Sequence, residues 1–130
     1  MNIRRFEMDK DYDSYSKLYS DWNLPYKKNW IQEDTFIIEN DKNIVCLGSL
    51  YQFGQTPMFF IEGIVSNKNI DKSIKKEGLS ILIDKLYKEA KQKGAEVVMT
   101  STPRDGLKNI FEENGFYQTP EKYYHLGRIE

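Results

Sequence analysis

Lysines crowd the start of one predicted helix. Between Phe59 and Gly94 the chain reads as a buried strand, a lysine-bearing loop and a long amphipathic helix. The first turn of a helix leaves backbone N–H groups without intrahelical partners, and the dipole adds positive potential there. Phosphate binds such a terminus. The run Lys72-Ser73-Ile74-Lys75-Lys76-Glu77-Gly78-Leu79 is either that kind of site or an ordinary solvated connection. Just upstream, Glu62 and Gly63 interrupt the apolar strand Met58 to Ser66. Glycine inside a strand marks a bulge or a close backbone approach. Trp22, Tyr26 and Trp30 form a third concentration, denser in aromatics than a connection needs. Cys46, in the apolar run IVCLGSL, is expected to be a buried small hydrophobe. His125 is the one histidine, and without a Cys/His cluster no metal site is expected.

These groups need a scaffold, and 130 residues make one domain, 1–130, with a genuine core. A formal charge of -1 gives no global attraction to nucleic acid or to an anionic membrane. The opening MNIRRFEMDKD has no apolar centre of a signal peptide, and no apolar run approaches the length of a membrane span. A lone cysteine excludes an internal disulfide, and a cytoplasmic setting is the expectation.

The first strand is expected over Asn2 to Met8, with Asp9 or Asp11 capping the helix that follows. Tyr12, Tyr15, Leu18, Tyr19 and Trp22 give that helix an apolar face, and Asn23-Leu24-Pro25 breaks it. Tyr26 to Gln32 reads as a short helix or an irregular lid. Asp34 to Asn40 and Ile44 to Gln52 form a hairpin around Asn40-Asp41-Lys42-Asn43, and Met58 to Ser66 is a third, central strand. The long helix starts between Lys72 and Glu77, buries Leu79, Leu82, Ile83, Leu86 and Ala90, and ends at Gly94. Its wet face pairs Asp84 with Lys88 and Glu89 with Lys93. Ala95 to Thr100 is a strand parallel to Met58–Ser66, reached by a right-handed crossover. Thr102 caps the next helix, with Pro103 at its first position, Leu107, Ile110 and Phe111 on its apolar face and Asn114-Gly115 at its end. Phe116 to Gln118 and Lys122 to Ile129 read as a closing hairpin, which would offer an edge for a homodimer.

This order resembles the GNAT superfamily of acyl-CoA-dependent N-acyltransferases across nearly the whole chain. NIRRFEMDKDYDSYSKLY is similar to the family's opening strand and helix, IIENDKNIVCLGSL to its second and third strands, and GLKNIFEENGF to its late helix ending in Gly115-Phe116. The resemblance implies an α+β fold: a mixed, mostly antiparallel twisted sheet of six to seven strands. A parallel central pair would splay apart, with helices on both faces. It further implies that acetyl-CoA is the cosubstrate, with its pantetheine arm in the splay as an extra strand would lie. Ile64, Val65 and Ser66 would hold that arm, and Lys72, Ser73, Lys75, Lys76, Glu77, Gly78 and Leu79 the pyrophosphate.

The same resemblance makes Glu62 the candidate base for an amine nucleophile, on the strand flanking the cleft. The family's usual proton donor is a Tyr at the position of Phe111, which has none to give and would at most line the cofactor. Tyr124 is the favoured substitute, ahead of Tyr117, Tyr123 and Ser101. Trp22, Tyr26 and Trp30 fall where the family walls its acceptor site, and could stack a flat or cationic substrate. Family members carry a Gly-x-Gly run in the phosphate loop; here Lys75, Glu77 and Leu79 stand near those positions and only Gly78 is close. Two expectations follow: an N-acetyltransferase that transfers acetyl directly to an unidentified amine, or a GNAT-fold protein without turnover that senses CoA or binds a protein.

Overall fold

The computed structural model describes residues 1–120 and 126–128. Among the described residues, the strands β1 (Asn2–Arg5), β2 (Asp34–Asn40), β3 (Asn43–Gln52), β4 (Met58–Ser66) and β5 (Val97–Met99) form one sheet in that spatial order. All neighbours are antiparallel except β4 and β5, which run parallel. The helices are α1 (Met8–Asp21), α2 (Lys72–Gln92) and α3 (Asp105–Glu113), with a short 3-10 turn over Lys28–Trp30.

The periodicity of each element sets the layers. On one face, the α2 stripe Leu79, Leu82, Ile83, Leu86 and Ala90 packs with Ile110 and Phe111 of α3 onto Phe36, Ile38, Cys46, Leu50, Phe59 and Ile61. Helix α2 lies close to the sheet because Gly78 has no side chain: a Cβ there would meet Val45 Cγ1 at 2.6 Å. On the other face, Tyr15, Leu18 and Tyr19 of α1 cover Ile37, Leu47 and Val65. Cys46 is fully buried, and burial pushes its thiol pKa far up.

Several expectations need correction. The sheet has five described strands where six to seven were expected. Phe116–Gln118 is not a strand: Gly115 turns the chain at φ +90°, and Phe116 then packs into the core against Phe111, leaving Tyr117 in solvent. The rest of the expected closing hairpin, with Tyr123, Tyr124 and His125, lies outside the described residues except for 126–128, which are irregular. Strand β5, Val97–Met99, is shorter than Ala95–Thr100 at both ends, its ladder to β4 covering only Met58–Phe60. Helix α3 begins at Asp105, and Thr102 instead accepts the Arg104 N–H in a turn before it (3.2 Å). Glu89 pairs with Lys85 (2.9 Å) and Arg5 (3.6 Å) and not with Lys93, which reaches Asp34 (3.1 Å).

Nor does Asp9 or Asp11 stand before α1 as its cap. Asp11 sits inside the first turn, where it accepts the Glu7 backbone N–H (2.8 Å) and both ends of the Arg4 guanidinium (2.8 Å each). Arg4 also donates to Glu39 (2.7 Å), tying β1, β2 and α1 together. Asp11 is 3% exposed. Its hydrogen bonds from Arg4 hold its carboxyl below the usual range. That stabilisation is present above the unfolded carboxylate pKa of about 4 and is lost as pH falls through the lower folded value. Asp11→Ala is therefore expected to destabilise the fold by about 3 kcal/mol at neutral pH. The melting-temperature gap from wild type should narrow below about pH 4; a gap independent of pH would show that the carboxylate charge is not what matters.

Candidate functional site

The site is built on a defect in β4. Ser49 lies opposite Glu62 and Leu47 opposite Val65, so Gly63 and Ile64 together face Gly48 alone. This is a β-bulge, and Gly63 carries it at φ +69°, a conformation that L side chains resist. Gly48 leaves room opposite, since a Cβ there would meet Ile64 Cγ1 at 2.9 Å. The Tyr19 hydroxyl, reaching from α1, donates a hydrogen bond to the Gly63 carbonyl. Burial, and after it the nearby charges of Tyr15 and Glu62, push this phenol pKa far up, so the proton stays on it.

The bulge turns β4 away from β5. Their register covers only Met58–Phe60 against Val97–Met99. The next link is a side chain, Thr100 Oγ1 donating to the Ile61 carbonyl at 2.8 Å. Past it the two strands part. Glu62, Ser101, Thr102 and Pro103 line a cavity of about 380 Å³ at the fork. Glu62 is half-buried, on the sheet face that also carries Tyr51. Burial first, and then the Glu62 charge, raises the Tyr51 pKa.

Helix α2 begins at Lys72, beyond the end of β4. Asp71 precedes it without a side-chain cap, and its first turn holds no acidic residue. The Lys75 N–H is already bonded to the Asp71 carbonyl (2.9 Å), so the amides of Lys72, Ser73 and Ile74 are the ones at the open end. Lys76 reaches Glu113 (3.4 Å), while among the described residues Lys68, Lys72, Lys75 and Arg104 make no ion pair. Glu77 is exposed on the helix, and Gly78 and Leu79 face the core rather than the helix start. Phe111 is also a core side chain, stacked edge-on against Phe116 at 5.1 Å.

Trp22 stands at this end of the cleft. Its indole N–H donates to the Ser66 carbonyl (2.7 Å). Around its ring gather the Arg104 guanidinium (4.3 Å), the Lys68 ammonium (4.4 Å) and the Lys75 ammonium (5.9 Å). Tyr26 packs against the same α1 cluster as Trp22, edge-on to Tyr15 at 6.1 Å and within 3.4 Å of the Ser20 hydroxyl. Trp30 is largely in solvent, beside Lys27. Among the described residues no ring contact joins these three. Glu62 and Ser101 are thus brought together at the fork, Ile64 to Ser66 run along it, and Trp22 crosses its outer end. Tyr124 lies outside the described residues. The sequence reading passed over Tyr19, Lys68 and Arg104. Tyr19 had a signal only as one more residue of an apolar helix face.

No family model and no curated protein sequence matches the chain. Solved structures do. TTHA1254 from Thermus thermophilus superposes with a TM-score of 0.77 at 16% identity, covering 100% of this chain and 99% of that one. An aminoglycoside antibiotic 6'-N-acetyltransferase from Acinetobacter haemolyticus gives 0.67 at 16% identity, covering 100% of each chain. Rv2747 from Mycobacterium tuberculosis, solved with CoA, gives 0.70 at 15% identity, covering 94% of this chain and 76% of that one. At such identities the likeness is one of fold.

The bulge is open to a direct test by urea unfolding. Gly63→Ala is expected to lose about 1–3 kcal/mol from the left-handed backbone, with a Cβ 2.8 Å from the Tyr19 oxygen adding to it. Tyr19→Phe should cost about 1 kcal/mol through the lost hydrogen bond. Full stability in both variants would mean that neither group holds the bulge.

Proposed function

We propose that this chain, which has the GNAT fold, is an N-acetyltransferase that moves an acetyl group from acetyl-CoA to an amine. The observation that carries this reading is the fork between β4 and β5, opened by the Gly63 bulge and lined by Glu62 and Ser101. The pantetheine arm would lie along Ile64, Val65 and Ser66, where β4 has no β5 residue in register. The pyrophosphate would meet the amides of Lys72 to Ile74, with Lys72 and Lys75 supplying charge in place of a glycine cradle. The setting is a cytoplasmic one, and among the described residues no helix is long and apolar enough to cross a membrane.

In the reaction, the amine nitrogen attacks the thioester carbonyl carbon. Glu62, directly or through a water, takes the proton that the nitrogen must lose. A β4 backbone N–H at the bulge stabilises the oxyanion. The carbon–sulfur bond then breaks, the acetyl group stays on nitrogen, and the leaving thiolate takes a proton. Tyr124 is the proposed donor of that proton; the Ser101 hydroxyl, which shares the cavity with Glu62, is the other candidate.

Thermal unfolding with acetyl-CoA tests the cofactor. Ligand at a hundred times its dissociation constant should add about 2.7 kcal/mol. No shift at millimolar acetyl-CoA would remove the enzyme reading. Given binding, Glu62→Gln should cut turnover by a factor on the order of 100 and spare affinity; unchanged turnover would clear Glu62 of the base role.

Trp22 gives a separate check, because its indole already occupies the Ser66 carbonyl that an extended ligand would use. Trp22→Phe removes the N–H donor but keeps a ring among the cations. It is expected to tighten acetyl-CoA by about fivefold, the worth of one hydrogen bond. Weaker binding would instead make the indole a ligand contact.

A further inference from the structure

The α1 face of the sheet is covered over only part of its length. Helix α1 packs on Ile37, Leu47 and Val65. Further along the strands the face carries large apolar side chains that are exposed. Tyr51 lies opposite Phe60, and Ser49 opposite Glu62, so Tyr51, Phe60 and Glu62 share this face. Tyr51 and Phe60 are stacked at 5.8 Å, and Phe53 meets Phe60 edge-on at 6.4 Å. Across the parallel pair, Val97 and Met99 stand in register with Met58 and Phe60. The result is an apolar floor that leads straight to the carboxylate at the fork. Tyr51 is 37% exposed, Val97 44% and Phe53 62%. A cross-strand aromatic pair alone would account for Tyr51 and Phe60; it would not account for Phe53 and Val97 left in solvent beside them.

Charge decides what fits here. Glu62 adjoins the floor and favours a cation, and the aromatic faces favour it too. An amine arrives as an ammonium ion drawn by this carboxylate; one proton leaves to solvent before attack, and Glu62 takes the second as the nitrogen is acylated. Beyond the nitrogen, the described residues of the floor offer flat hydrocarbon and the Tyr51 hydroxyl, while the Ser49 hydroxyl on the same face is already bonded to Thr35 (2.7 Å). A polyhydroxylated amine would find few partners for its hydroxyls there and would leave them poorly paired. An aryl group would bury its own face.

We propose that Tyr51, Phe53 and Phe60 form the acceptor floor and select an amine carried on a flat apolar group, with its nitrogen directed to Glu62. This deepens the acetyltransfer reading and rests on it for the fate of the amine.

The test is calorimetry on the full chain at neutral pH, without acetyl-CoA, using 2-phenylethylamine and 2-aminoethanol. The aryl amine should bind at least tenfold tighter. Tyr51→Ala should weaken it about tenfold, Tyr51→Phe should retain it, and neither should change the affinity for acetyl-CoA. Circular dichroism of both variants separates a lost floor from a lost fold. Equal affinity for the two amines, no binding of either, or an unaffected Tyr51→Ala would overturn the proposal. So would a dimer in size-exclusion chromatography that Phe53→Ser dissociates, since the face would then belong to a second copy of the chain. Because the amines are titrated without cofactor, their failure leaves the acetyl-CoA titration untouched, and the reverse also holds.

Discussion

A hydrogen bond from one phenol to one carbonyl holds the place where the sheet divides. Tyr19 fixes Gly63 in a backbone conformation that costs energy in most sequences. The bulge so held turns β4 out of register with β5, and the fork follows from that turn. Everything assigned to chemistry sits relative to this point. Glu62 precedes it, Ile64 to Ser66 follow it, and the cavity with Ser101 opens beside it. The surrounding packing supports the arrangement. Arg4, Asp11 and Glu39 tie α1 to the sheet, and α1 in turn carries Tyr19.

The two ends of the cleft differ in kind. At the outer end, cations collect around an indole, next to a helix whose first turn holds no acidic residue. At the inner end a carboxylate meets an aromatic floor. An anionic, phosphate-bearing molecule and a cationic amine would therefore approach from opposite directions. The chain's net charge of -1 conceals this separation completely. Local sign, and not total charge, would orient such molecules.

Much of this was legible in the residues, and the exceptions have physical reasons. Strands β2 and β4 begin and end where alternation and turn residues place them. The α2 stripe was correct because a period of 3.6 is hard to mistake over a long helix. Gly63 was recognised as a bulge candidate, since glycine in an apolar strand has few other uses. Gly78 was harder. A glycine near a helix start suggests a phosphate cradle, whereas here it lets α2 approach Val45. That is a contact between elements distant in sequence. Tyr19 and Arg104 were missed for the same reason: what they do depends on what α1 and the loop before α3 lie against. Of Trp22, Tyr26 and Trp30, which stand close in sequence, the first two pack against the same cluster under α1, while Trp30 is left largely in solvent.

Cys46 has a practical consequence. Its sulfur is fully buried and burial holds it protonated, while no other cysteine exists in the chain. Aromatic disulfide reagents are attacked by thiolates, and so respond only to a thiol that is ionised and accessible. The folded protein is therefore silent toward them. A thioester donor that gives up its acyl group releases a small, accessible thiol. The colour developed by such a reagent would then follow release of that thiol, and a slow rise with neither donor nor acceptor present would report unfolding of the protein itself.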